Sequence, residues 1–303
     1  MKRKRLSNPF STGGGGPLFE AHVQAAFVTL MITGGYTPCF PSKPIVEVQF
    51  QGKKDGYATD DLIVTTGDPI GKATRKMLVQ VKHDIAFGKT NTLLGEVLQA
   101  AWEDFNNPSV FTRGRDAIVL ITGPLSGVDQ ETVPWLLEHA RAVTNADEFF
   151  RDVKLAHFSS TRKVKKLEII RYHLDIANNG MGLSEEQHFQ FLQHFHLLGY
   201  DLDIEHSVTK SLLHSHISQY QNELSSLAWS RILEFVQQKN KHAARVTKDN
   251  IPEDLLEMFK EKAAVEFPKD LASKMSSSVT NWASHPDASF VALTLLIGAW
   301  DEK

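Results

Sequence analysis

A chain of 303 residues with 42% hydrophobic and 23% charged side chains has the make-up of a globular protein long enough for two domains. Its net charge of −3 excludes a globally basic nucleic-acid binder, so any such surface must be a local patch. The single cysteine, Cys39, excludes an internal disulfide framework and fits a reducing cytoplasm, and no run reaches the roughly 18 apolar residues of a membrane span.

The chain begins with a basic tail, Met1–Arg5, which reads as solvated coil, or alternatively as a loose phosphate tether. Gly13–Gly16 and Pro17 form a hinge, so residues 1–16 are expected to be a flexible terminus. Leu18–Thr33 is predicted as a helix, with Phe19, Val23, Ala26, Phe27 and Leu30 on one face and Gly34-Gly35 ending it. Strands follow at Ile45–Phe50, Asp61–Thr66 and Met77–His83, with a loop at 66–76. Asn91–Phe105 is a helix, Ala117–Thr122 is an apolar strand buried on both faces, and Val133–Val143 is a helix. Beyond about residue 150 the pattern turns helical. Strand potential survives only at Val153–Phe158, and amphipathic helices are predicted at 163–178, 184–198, 207–221, 225–239 and 252–262. Ser184 and Gln187 form a capping box. The apolar stretch Phe290–Trp300 reads as a last core element or as the start of something further.

The chemistry concentrates on the second and third strands. Successive side chains of a strand alternate in direction, so Gln80 and Lys82 project together, next to an aspartate that opens the neighbouring strand. A carboxylate, an amide oxygen and an amine gathered in this way suit a divalent cation and a phosphodiester. Glu20 on the first helix, with Gln24 one turn on, is the natural further member. Asp60 competes with Asp61 for the ligand position, because only one of two adjacent residues can face the site; Asp61 is the choice here.

Taken together, Phe19-Glu20, Asp60-Asp61-Leu62-Ile63, Gln80-Val81-Lys82-His83 and Gln99–Phe105 resemble the PD-(D/E)xK restriction-endonuclease-like fold. Within it they are most similar to the double-stranded DNA endonuclease effector domain of bacterial antiphage defence, both the CBASS-type effectors and the N-terminal region of STAND-type NTPases of the AVAST group. The resemblance covers residues 10 to about 150 well and 150–260 more loosely. It implies an α/β fold with an αβββαβ core and a mixed central sheet at 17–158, followed by an all-α module at 159–303 for linkage, assembly or the start of a sensor. It further implies a Mg²⁺- or Mn²⁺-dependent endodeoxyribonuclease in the cytoplasm, acting on double-stranded DNA. Glu20, Asp61 and Gln80 would be metal ligands and Lys82 the catalytic lysine, with Gln80 replacing the usual carboxylate. A homo-oligomer would cut both strands, gated by assembly or by an NTPase or sensor module in cis, beyond Lys303, or in trans.

Other residues carry smaller expectations. His83 is an auxiliary group or a structural histidine, and Gln99 and Trp102 pack or orient the site. Lys53, Lys54, Lys72, Arg75 and Lys76 are candidates for contact with DNA phosphates, or else a solvated loop. Residues 67–74 imitate a phosphate-binding loop but lack its spacing and its Ser/Thr. His188, His194, His196, His206, His214 and His216 read as ordinary helical histidines rather than metal ligands, and Phe189, Phe191 and Phe195 as core. The rival to catalysis is an inactive scaffold, for which the uncharged Gln80 is the clue; an RNase on the same core is a third reading.

Overall fold

The computed structural model describes residues 15–67, 74–220 and 225–260. The basic terminus, Lys72, most of the 67–74 loop and the apolar stretch 290–300 lie outside them. Contacts divide the chain into Met1–Glu261 and Lys262–Lys303, and all described residues belong to the first unit.

Among the described residues the architecture is α/β around a mixed seven-stranded sheet, ordered β1-β2-β3-β4-β5-β6 with β7 also paired to β2. Helix α1 (Gly15–Thr33) leads to β1 (Tyr36–Thr37) and β2 (Phe40–Phe50), then a 3₁₀ turn at Gly52–Asp55. Strands β3 (Leu62–Thr66) and β4 (Arg75–Lys82) follow, then α2 (Thr92–Phe105) and β5 (Ala117–Thr122). Strands β1 to β4 pair antiparallel, and β5 runs parallel to β4 after the α2 crossover. The expected αβββαβ order is therefore present, with the short β1 added.

Alternation along these strands sends side chains to two separate cores. Leu62, Val64, Met77, Val79 and Val81 face α1, whereas Ile63, Leu78, Ile118 and Leu120 face α2 and its neighbours. All of β5 is buried, as a parallel strand covered on both faces requires. Helix α1 is apolar on nearly every side because it lies between the sheet and a later helix, α8 (Ser225–Asn240).

Residues beyond 150 are not a purely helical module. Helices α3 (Gly127–Ala142), α4 (Ala146–Lys154), α5 (Thr161–Ala177) and α6 (Glu185–His194) cover the α2 face. Phe195–Gly199, predicted as the end of a helix, is strand β6, parallel to β5 and pairing Phe195 through Gly199 with Ile118 through Thr122. The i,i+4 pair Phe191 and Phe195 imitates a helical face, but Phe195 and Leu197 enter one core while Leu198 packs against the other. The open edge of β5 supplies the hydrogen-bond partners that settle the segment as a strand. The strand potential at Val153–Phe158 is likewise overridden. Ala146, Phe149, Phe150 and Val153 sit at helical spacing on α4, capped by Asn145. After α7 (Val208–Ser218) and α8, strand β7 (Arg245–Val246) returns to β2, and the helix expected at 252–262 is the single short α9 (Glu253–Glu257) among the described residues. The Ser184–Gln187 capping box is present.

Phe191 is fully buried and its ring meets Trp102, Phe105 and Phe195. If the later helices share one core with the sheet, Phe191→Ala costs about 3–5 kcal/mol of stability in urea denaturation of the whole chain. A loss below about 1 kcal/mol would mean that α6 is not part of that core.

Candidate functional site

Asp61 ends the turn that leads into β3 and stands opposite the C-terminal end of β4. Its Oδ2 accepts hydrogen bonds from the Val81 backbone N–H at 2.7 Å, the Lys82 ammonium at 3.3 Å and the Gln80 amide. The predicted pairing of a β3 aspartate with Gln80 and Lys82 is therefore realised, and Asp61 rather than Asp60 makes it. Asp60 offers its backbone carbonyl to Gly52 N–H at 2.7 Å. Its carboxyl is held above the usual range by partial burial and by the Asp61 charge.

Glu20 meets this group from α1. Its Oε1 accepts from Gln24 at 2.8 Å, Gln51 at 3.0 Å and Asn240 at 3.3 Å. Gln24, wholly buried, also donates to the Asp61 carbonyl at 3.2 Å and so ties α1 to the start of β3. Burial, and then the Asp61 charge, push Glu20 up to about 7; the Asn240 hydrogen bond and the Lys82 charge oppose this. Two buried amide oxygens at this place, Gln24 Oε1 and Asn240 Oδ1, have no hydrogen-bond partner.

Gln51 and Asn240 were not foreseen. Gln51 closes β2 in a left-handed conformation, φ 50°, which a non-glycine residue adopts only when its surroundings hold it there. Nothing in Phe50-Gln51-Gly52 announces this. Asn240 ends α8 among Lys239 and Lys241, where the sequence reads as a solvated helix terminus.

Other expected members are elsewhere. Gln99 is exposed on α2 and donates to Glu103. His83 pairs with Asp203 at 2.9 Å and sets its ring edge-on to Phe19, fixing the end of β4 to the loop after β6. The basic residues do not make one rim. Lys54 donates to the Ala243 carbonyl, Lys76 to the Val110 carbonyl and the Tyr57 hydroxyl, and Arg75 lies over the Phe40 ring. Arg75 and Lys76 open β4, six or more residues from Lys82, roughly 20 Å along an extended strand. Lys53 is exposed near Asp60, and Lys72 lies outside the described residues. Of the histidines, His194 bridges Gly114 N–H and the Gln190 carbonyl, His188 contacts the Ser184 carbonyl, and His196, on β6 rather than a helix, is pushed down to about 3 by burial. Among the described residues no group of three or more His, Cys, Asp or Glu side chains is placed to hold a metal, and no helix is long and apolar enough to cross a membrane.

No family model matches the chain, and no curated protein matches it. Solved structures similar to it include an Acinetobacter baumannii Cap4 SAVED/CARF-domain containing receptor with the cyclic trinucleotide 3′3′3′-cAAA, at 7% identity and a TM-score of 0.44, over 77% of this chain and 45% of that one. The same receptor with 2′3′3′-cAAA matches at 7% and 0.43 over 77% and 42%, and a Moraxella osloensis Cap4 SAVED/CARF-domain containing receptor at 9% and 0.41 over 78% and 45%. The chain thus spans less than half the length of these receptors. They are described as receptors, two of them with cyclic trinucleotides. On that finding the resemblance to a PD-(D/E)xK endonuclease effector, and with it the role of cutting double-stranded DNA, is set aside. The dispersed basic residues agree with that correction.

Between the ordinary carboxyl range near 4.5 and about 7, the folded protein keeps a proton on Glu20 that the unfolded chain has lost. Stability therefore falls as pH rises through that window and levels off above it. Glu20→Gln removes this contribution, so in thermal melts the variant gains on the wild type from about pH 5 to about pH 8. A pH-independent difference between the two would contradict the burial of this carboxyl.

Proposed function

We propose that Glu20, Asp61, Gln80 and Lys82 form a divalent-cation site, for Mg²⁺ or Mn²⁺, that hydrolyses phosphodiester bonds. The observation that carries this reading is the joining of the two acids: Gln24 donates both to Glu20 at 2.8 Å and to the Asp61 carbonyl at 3.2 Å, and Lys82 stands 3.3 Å from the Asp61 carboxylate. Like charges brought together in a buried place call for a counter-charge.

The donor set fits a hard cation. Asp61 and Glu20 offer carboxylate oxygens, and the Gln80 amide, turned over from its present contact with Asp61, offers a neutral one. The unpartnered oxygens of Gln24 and Asn240 add to the oxygen-rich character of the place. A bound divalent cation supplies charge neutralisation and polarises a water. The Val81 N–H and Lys82 fix the Asp61 carboxylate on the rigid end of the sheet. Lys82, partly exposed, presents its ammonium to the negative charge that develops on a phosphate under attack.

The test pairs binding with turnover. Calorimetric titration with Mn²⁺ should show a site that Asp61→Asn weakens by ~10-fold or more. With Mg²⁺ or Mn²⁺, bis(p-nitrophenyl) phosphate, linear oligonucleotides and a cyclic trinucleotide serve as substrates. Cleavage of at least one of them, lowered ~100-fold or more by Lys82→Ala, is the expected result. Cleavage unaffected by both substitutions, or the absence of any Mn²⁺ site, would refute the reading.

A further inference from the structure

The site is not completed by the sheet and α1 alone. Asn240, at the end of α8, donates to Glu20 Oε1 at 3.3 Å although 220 residues separate the two. The next few residues grip the strand end that carries Gln51, the other long-range donor to Glu20. Phe50 N–H donates to the Ala244 carbonyl at 3.0 Å, and Val246 and Arg245 pair with Val48 and Gln49 of β2. Lys54 donates to the Ala243 carbonyl, and Arg245 bonds the Asp55 carboxylate at 3.1 Å, so the 3₁₀ turn after Gln51 is held from the same side. Two residues in this clasp, Gln51 and Ala243, have positive φ without being glycine, at 50° and 47°. Such conformations persist where the surroundings over-determine them. Helix α8 is itself anchored on α1 through Trp229, Ile232, Phe235 and Val236, all buried, with Trp229 edge-on to His22.

We propose that Asn240 is a positioning residue for Glu20, and that residues 240–246 form a clasp that completes the cation site from the distant end of the chain. This rests on the cation reading above. Asn240 acts through Glu20: it holds one carboxylate oxygen, Oε1, in place. The clasp sets Gln51, which holds the same oxygen from the opposite strand. The site would then answer to the placement of α8 and β7, elements outside the αβββαβ core.

The experiment is Mn²⁺ titration of the full chain by calorimetry, with thermal melts in the absence of metal. Asn240→Ala should weaken Mn²⁺ binding by ~10-fold while the metal-free melting temperature falls only slightly, since Glu20 keeps Gln24 and Gln51 as donors. In a Glu20→Gln background the same substitution should cost nothing further, because its effect passes through Glu20. Arg245→Ala, at an exposed position, loosens the clasp without touching the site and should weaken binding severalfold. Wild-type affinity in both Asn240→Ala and Arg245→Ala, or equal and additive losses with and without Glu20, would overturn the proposal. Failure of the wild type itself to bind Mn²⁺ is a separate result: it removes the cation reading and this inference together.

Discussion

Everything at this site depends on one oxygen atom, Asp61 Oδ2. It takes donors from Gln80, Val81 and Lys82 at once, so the start of β3 and the end of β4 are locked in register by a carboxylate as well as by the backbone ladder. A buried carboxylate is tolerated only when its hydrogen bonds are made. Here they come from a strand rather than a mobile loop, which fixes the direction of Lys82. Glu20 is then brought to the same place by α1, whose burial on nearly all sides leaves it no freedom to withdraw. The fold therefore forces two acids together and offsets the cost with amides: Gln24, Gln51 and Asn240 on Glu20, and Gln80 on Asp61.

That arrangement separates the two acids in character. Asp61 has a lysine and a backbone N–H beside it. Glu20 has only neutral amide donors, and burial together with the Asp61 charge pushes it up to about 7. A carboxyl held well above its usual range inside a cluster of polar groups is a common mark of a working site. A structural ion pair has no need of the second acid, and a core has no need of either.

The αβββα part of the chain was legible because local signals and tertiary context agree there. Asn91 caps a helix with a clear apolar face, β5 is apolar throughout, and the period-2 pattern of β4 sets Gln80 beside Lys82. Asp61 follows from its place just before an apolar strand, and Glu20 from its place beside the core face of the first helix. What escaped reading was non-local. Phe195–Gly199 carries a helical spacing of aromatics and becomes a strand only because β5 offers an edge. Gln51 and Asn240 meet Glu20 through chain reversals that no window of sequence contains. The lysines expected to line a phosphate rim satisfy carbonyls instead, a choice made by the turns around them. The family resemblance rested on residues that do assemble, but the resemblance itself did not survive comparison with solved structures.

The central claim is that a divalent cation lies between Glu20 and Asp61. Crystals of the intact chain soaked in Mn²⁺ near pH 8, above the point at which Glu20 gives up its proton, test it by anomalous diffraction. A strong peak within contact of carboxylate oxygens of both residues, about 2.0–2.3 Å from each, is the predicted result. A map without such a peak there, with the Glu20 and Asp61 hydrogen bonds undisturbed, would contradict it.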